Sequence, residues 1–302
     1  MGDEEIEEEL DGEIIDDPSM EELQREFNAK YEESIVSIKH TMNQLLEAGD
    51  DIVEDKLIQD VTNVVVVTNN KYQVFDMLHY LRNFDDETYM HSVNVSMICN
   101  VFADWLGMTE YEKKHLTLCG LLHDFGKLLV NKEILRKPGR LTEEEFAVIK
   151  EHSRKGYEFL KDKKINESVK RAVLLHHERC DGKGYPFGVH ISEIDPFAAI
   201  TAIADVYEAM TASRVYRKGI CPFEVIRLFE EEGRHQFNPI FLIPIMKKLT
   251  DAYLQHNVVL SDGRKGKIVL INSNELSRPS ILTDDGIVDL SKNRNIVISQ
   301  VL

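Results

Sequence analysis

His176-His177-Glu178-Arg179-Cys180-Asp181-Gly182-Lys183-Gly184-Tyr185-Pro186 is the stretch on which the reading of this chain turns. Two adjacent imidazoles lead into a glycine-rich turn. Each ring carries a donor and an acceptor, so burying both without partners is costly. A divalent metal meets that need, because neutral imidazole is the commonest metal ligand. The glycines let the backbone turn sharply and approach a ligand closely. The segment therefore points to a metal, a tight loop and a nearby substrate, at the end of a helix that carries Val173, Leu174 and Leu175.

Working outward, other donors sit in or beside apolar helical patterns. Glu87 and His91 are four residues apart and share one helix face. His123-Asp124 follows the apolar run Leu121-Leu122 and precedes Phe125-Gly126-Lys127. His152 lies on a helix opened by a capping box, Thr142 with Glu145 three residues on. Asp205 interrupts an apolar helix that starts near Pro196, and a buried carboxylate needs a charge partner. Singly, each has an ordinary explanation: a surface pair, an N-cap, a satisfied core residue. Together, each within or beside apolar helix, they are too many to dismiss. His40, His79, His115, His190, His235 and His256 have no such company.

The chain of 302 residues is long enough for one large domain and small appendages. No apolar run reaches the roughly 18 to 20 residues of a membrane span. The net charge is −17, and residues 1–17 supply ten acidic side chains and no basic one, leaving −7 for the rest. That start is expected to be a disordered, solvated tail, with an interaction arm as the alternative, and it is not a secretory signal peptide. The acidic balance excludes a nucleic-acid polymer as ligand but not a small nucleotide. Cys99, Cys119, Cys180 and Cys221 have no paired spacing and read as reduced thiols of a cytoplasmic protein, the first two as core residues.

The expected organisation is an acidic tail over 1–17, a helical region over 18–84, a helical catalytic domain over 85–257 and a small β-rich subdomain over 258–302. In the second region Tyr31, Ile35, Ile38, Met42 and Leu45 form an apolar seam, to be covered either by the main domain or by a second copy of the chain. A further helical stretch is read over 51–83. Within it Val64-Val65-Val66-Val67 resembles a strand by itself, but its flanks read as helix. The last region alternates short apolar runs (258–260, 267–271, 281–282, 287–290, 296–298) with the turn signals Asp262-Gly263 and Asp285-Gly286.

The set His91, His123-Asp124 and Asp205 resembles the HD phosphohydrolase superfamily. With Glu87, His152, His176, His177 and Gly184-Tyr185-Pro186 it resembles the HD-GYP subfamily, over roughly residues 85 to 245. The resemblance implies a mainly α fold, an all-helical HD-type bundle holding two or three divalent transition metals, Fe or Mn. It implies hydrolysis of cyclic di-GMP, or in some members cyclic GMP-AMP. His91, His123, Asp124, His152, His176, His177 and Asp205 match its metal ligands, with Asp124 bridging and Glu87 serving a third metal. Lys127 matches a lysine at the scissile phosphate, Arg214 and Arg217 match phosphate-holding positions, and Tyr185 matches a groove-lining tyrosine. A hydroxide bridging two metals would be the nucleophile, with a pKa lowered toward neutrality. Phe125, Glu208 and Asn238 depart from the usual residues and put local packing and substrate preference in doubt. Two other readings stand beside this one: an HD phosphohydrolase of another nucleotide, and a signalling adaptor that binds a cyclase. A homodimer and a cyclase are the partners that these readings imply.

Overall fold

The computed structural model describes residues 19–48, 51, 53–68, 72–81, 87–137, 139–212 and 219–302. The expected acidic tail lies outside them. The described chain is helical down to residue 252 and then forms a sheet. Its helices are α1 (Met20–Ala48), α2 (Glu54–Val65), α3 (Gln73–Tyr80), α4 (Glu87–Trp105), α5 (Glu110–Leu122), α6 (Lys132–Leu135), α7 (Glu143–Lys150), α8 (His152–Leu160), α9 (Glu167–Leu175), α10 (Pro196–Thr211), α11 (Pro222–Leu228), α12 (Arg234–Gln236) and α13 (Pro239–Ala252). A short 3₁₀ turn, Phe125–Leu129, follows α5.

The helix starts follow from local chemistry. Thr109 with Glu112 caps α5, and Thr142 with Glu145 caps α7, each by a reciprocal capping box. Asp195 caps α10 ahead of Pro196. Asn238, one of the departures noted above, caps α13 through the Ile240 amide at 3.0 Å. Asn and Asp serve equally well in that role, which accounts for the substitution.

At the centre lies α4, covered on all sides. Val93, Val95, Met97, Ile98, Val101 and Phe102 are buried on it, but so are Ser92, Asn94, Ser96 and Asn100. Buried polar groups need partners. Ser96 Oγ donates to the Val93 carbonyl at 2.7 Å, and Asn100 Nδ2 donates to Thr117 Oγ1 on α5 at 3.0 Å. Helices α5 and α10 pack against α4, while α9 packs against α5, α8 and α10.

The N-terminal seam is covered within the chain. Tyr31, Ile38, Met42 and Leu45 are buried, with Ile35 partly so, and α1 lies on α2 and α4. The stretch read as one helix over 51–83 is two, because α2 ends at Val65 and a turn follows through Thr68. Val64 and Val65 are thus helical, and Val66 and Val67 lie in the turn rather than in a strand.

The C-terminal strands are β1 (Asn257–Leu260), β2 (Lys265–Leu270), β3 (Ser280–Thr283), β4 (Gly286–Asp289) and β5 (Ile298–Val301). They form one antiparallel sheet in the order β4-β3-β2-β1-β5. Gly263 takes a φ of 89° in the first hairpin. Thr283 pairs with Gly286, so Asp284-Asp285 is the two-residue loop of the second. The last strand begins at Ile298, later than the apolar run suggested, because the Ile296 amide turns back to the Asn293 carbonyl. The sheet is tied to the helices by Glu230, whose carboxylate accepts from the Leu276 and Ser277 amides at 2.6 and 3.2 Å. His256 and Asp76, 3.2 Å apart, add a second tie. Among the described residues, no helix is long and apolar enough to cross a membrane.

Candidate metal centre

The donors come from helix ends and from two central helices. His123 ends α5, Asp124 precedes the 3₁₀ turn, His152 opens α8, and His176 ends α9 with His177 following. His91 sits on α4 and Asp205 on α10. At a helix end the last carbonyls lack helical partners. Three imidazoles use such carbonyls. His123 Nδ1 lies 2.7 Å from the Gly120 oxygen, His152 Nδ1 2.7 Å from the Ile149 oxygen, and His176 Nδ1 3.1 Å from the Val173 oxygen. A carbonyl only accepts, so each Nδ1 carries the proton and each Nε2 presents a lone pair to the centre. His91 Nδ1 faces the Glu208 Oε2 at 2.5 Å, so Nδ1 carries a proton and Nε2 is the atom turned to the centre.

Those lone pairs converge in two groups, His91, His123 and Asp205 on one side and Asp124, His152, His176 and His177 on the other. In the first, the Nε2 atoms of His91 and His123 are 3.2 Å apart, and Asp205 Oδ1 is 3.0 Å from the former. In the second, the Nε2 atoms of His152 and His176 are 3.4 Å apart. Two ligand atoms about 2.1 Å from one cation stand about 3 to 3.4 Å from each other, so the spacing is that of shared-metal donors. Asp124 joins the groups. Its Oδ2 is 3.4 Å from His123 Nε2 and 3.5 Å from His91 Nε2, while its Oδ1 is 3.3 Å from His152 Nε2. That Oδ1 is buried and accepts no hydrogen bond. An orphaned buried carboxylate oxygen aimed at imidazole lone pairs lacks a cation, so the donor set fits a pair of metals.

The proton affinities agree. Burial pushes the His176 imidazole well below its ordinary value, helped by His177 and His123, and it lowers His152 and takes His177 to about 3. Neutral rings are what a metal requires. Asp124 is held well below the carboxylate range, because Lys127 and His123 outweigh its burial. Asp205 is likewise lowered, by His91 and His123 against the effect of burial. His91 goes the other way: Glu208 and Asp205 overcome burial and raise it to about 10. Without a cation, a proton on His91 Nε2 serves Asp205, and a metal would take the place of that proton.

Close backbone approaches hold the donors in place. A Cβ on Gly126 would lie 1.8 Å from the His152 carbonyl oxygen, so only glycine lets the turn after Asp124 touch α8. Gly184 runs equally tightly past Glu178 and Arg179, where a Cβ would come within 2.4 Å of backbone. The Tyr185 amide donates to the His177 carbonyl, and the Tyr185 ring lies over the His177 ring at 4.5 Å. The Tyr185–Pro186 bond is cis. Burial raises the Tyr185 hydroxyl pKa, so it stays a donor.

The structure thus brings together His91, His123, Asp124, His152, His176, His177 and Asp205, with Tyr185 at their edge. Lys127 is half-buried and donates to Asp124 Oδ2 at 2.5 Å. Glu87 opens α4 one turn before His91, but its side chain is outside the described residues, as are Arg214 and Arg217. Sequence reasoning missed Glu208, treated there as a packing departure, and its partner Asn94. It also gave no role to Glu178, a buried carboxylate that accepts from the Phe187, Gly188 and Val189 amides at 2.7, 3.2 and 3.1 Å. The available signal was spacing: Asp205 with Glu208, and His91 with Asn94, are three apart and share a helix face.

Known proteins share this architecture. The HD domain family matches residues 57–240, more than half of the chain. A cyclic di-GMP phosphodiesterase of Pseudomonas aeruginosa is 36% identical over 202 residues, covering 67% of this chain and 49% of that protein. A 3'3'-cGAMP-specific phosphodiesterase of Vibrio cholerae is 40% identical over 145 residues, covering 48% of this chain and 34% of that protein. The chain therefore spans about half, or less, of the length of these curated relatives. Among solved structures, an HDG"Y"P protein of Bdellovibrio bacteriovorus aligns with a TM-score of 0.62 at 20% identity, over 78% of this chain and 74% of that one, a likeness of fold.

Proposed function

This chain belongs to the HD domain family, and on that footing we propose that it is a metal-dependent phosphodiesterase that hydrolyses cyclic di-GMP. The observation that carries the reading is Asp124, with one oxygen toward each histidine group and no hydrogen bond on the buried Oδ1. In this reading His91, His123 and Asp205 would hold one metal and His152, His176 and His177 a second, with Asp124 within reach of both groups. Glu87 serves a third. Fe or Mn suits such an imidazole and carboxylate set. Metals there supply Lewis-acid polarisation of a phosphodiester and an activated water.

The chain's own groups do the rest. Lys127, half-buried beside Asp124, puts a fixed positive charge where the scissile phosphate gains negative charge. Tyr185 offers an aromatic face and a protonated hydroxyl at the rim, suited to a base or a phosphate oxygen. Arg214 and Arg217 bind the second phosphate. Addition of one water across one P–O3' bond gives the linear dinucleotide, and a second water across the remaining P–O3' bond gives two mononucleotides. The named activity of the Pseudomonas relative supports cyclic di-GMP. The Vibrio relative, more identical over a shorter span, favours 3'3'-cGAMP as the second reading.

The test is metal analysis of protein purified without oxygen, followed by hydrolysis assays on a panel of cyclic dinucleotides. The expected result is two or three Fe or Mn per chain, with cyclic di-GMP cleaved fastest. Asp124→Ala should lose both metal and activity. Full activity in Asp124→Ala would sink the reading, and a metal-free, inactive protein that binds a cyclase would favour the adaptor.

A further inference from the structure

A buried line of hydrogen bonds runs from the N-terminal helix to the first histidine of the centre. Tyr31 on α1 is fully buried, and its hydroxyl donates to Asn94 Oδ1 on α4 at 2.7 Å. Asn94 Nδ2 donates to Glu208 Oε1 on α10 at 2.8 Å. The other oxygen of Glu208 receives His91 Nδ1–H. His91, Asn94 and Glu208 are all less than a tenth exposed. The polarity of the line is determined at every step. A carboxylate can only accept, so Asn94 must turn its amide nitrogen to Glu208 and its oxygen to Tyr31. Tyr31 must then donate, and burial keeps its hydroxyl protonated. With its Nδ1 proton committed to Glu208, His91 turns Nε2 toward Asp124 and Asp205, and Nε2 is the atom a metal would take.

We propose that Glu208, Asn94 and Tyr31 are positioning residues for the metal centre, so that α1 is part of the site's support and not merely a covering helix. The proposal rests on the metal part of the reading above. Its physical basis is that a ligand histidine whose second nitrogen meets a carboxylate is fixed in tautomer and ring angle and becomes a stronger donor. Three of the other central imidazoles, His123, His152 and His176, meet neutral backbone carbonyls instead. Of these four, His91 is the one that depends on a side chain from another helix. A fault in the line should therefore weaken the His91 side of the centre and leave the His152–His176–His177 side intact.

The experiment uses the full chain loaded with Mn²⁺ and follows metal retention against rising chelator. Glu208→Gln is nearly isosteric but places an amide where two acceptors are required. It should lower affinity for the first metal about 10- to 100-fold, the usual effect of losing such a partner. Tyr31→Phe removes one hydroxyl 59 residues before Met90 and far in sequence from every donor. It should weaken the same metal about two- to tenfold, through a slackened Asn94–Glu208 pair. Tyr253→Phe is the control. It breaks another buried bond, the Tyr207–Tyr253 hydroxyl pair at 2.9 Å, which is not a member of the hydrogen-bonded line although Tyr207 precedes Glu208 on α10. Its metal retention should match that of the parent chain.

Selective loss of one equivalent in Glu208→Gln and Tyr31→Phe supports the proposal. Unchanged retention in both overturns it, as does equal weakening in Tyr253→Phe, which would trace the effect to general loosening. If the parent chain holds no Mn²⁺ at all, the metal reading fails and the proposal falls with it, a result distinct from parent binding with unaltered variants.

Discussion

Glu178 should govern the loop that carries Tyr185, and Glu178→Gln isolates its effect. Its side chain is buried, Oε1 accepts from the Phe187 and Gly188 amides, and Oε2 accepts from the Val189 amide. A glutamine has one acceptor oxygen. The best placement keeps that oxygen on Phe187 and Gly188 and turns its amide group toward Val189, donor against donor. One buried N–H is then unsatisfied, a cost of about 1 to 3 kcal/mol. If the cost is borne by local opening, amide exchange at 187–189 should speed up about 5- to 150-fold. Hydrogen exchange resolved to single amides reads this directly. Tyr185 hangs from the same loop, so KM for the cyclic dinucleotide should rise with the exchange rates. Metal content should not move, because Glu178 touches none of the converging donor atoms. Unchanged protection at Val189 would refute the reasoning, because the carboxylate would then not be what orders the loop.

Three other outcomes are expected. Gly126→Ala would drive a methyl group into the His152 carbonyl, and α8 would have to retreat from Asp124; urea unfolding should show a loss of about 1 to 3 kcal/mol, and an unshifted midpoint would contradict the packing. The Asp76 hydrogen bond raises His256 above its ordinary value against a smaller effect of burial. Stability from this partly exposed pair is therefore complete below about pH 6.5 and fades as pH climbs through the raised value. The stability difference between the parent and Asp76→Asn, read from urea unfolding, should be largest near pH 6, about 1 kcal/mol or less, and a difference that grows toward pH 9 would be the wrong sign. Stripping metal with a chelator should lower Tm by on the order of 10 °C if two sites are each held at about a hundredfold excess over Kd; equal melting with and without chelator would count against a metal that stabilises the fold.

The donors were legible in the sequence because their chemistry is out of place. Asp205 in an apolar helix and His123-Asp124 after Leu121-Leu122 are costly unless they meet one another, and the fold makes them meet. The capped helices and the C-terminal hairpins were legible for an equally local reason: caps and turns are written within a few residues of where they act. The break between α2 and α3 went unread although Thr68-Asn69-Asn70-Lys71 is a polar, Asn-rich interruption, because the apolar run Val64 to Val67 before it drew the reading toward a continuous helix.

The supporting groups were hidden for a different reason. Glu178 is nine to eleven residues from the amides it binds, and those amides are backbone, which no residue identity announces. Glu208 is 117 residues from His91, and Tyr31 is 63 from Asn94. A periodicity argument sees each helix face by itself and cannot say which faces will touch. What it can see is an unpaired cost: Asn94 three residues after His91, and Glu208 three after Asp205, both on central helices. Two polar residues on each of two apolar faces require buried partners, and in the fold α4 and α10 supply them to each other. The two helices are neighbours with His91 and Asp205 in register, and His91 Nε2 stands 3.0 Å from Asp205 Oδ1. The same pairing that completes the metal donors also completes the line to α1, so the centre and the helical core that surrounds it are specified by one set of contacts.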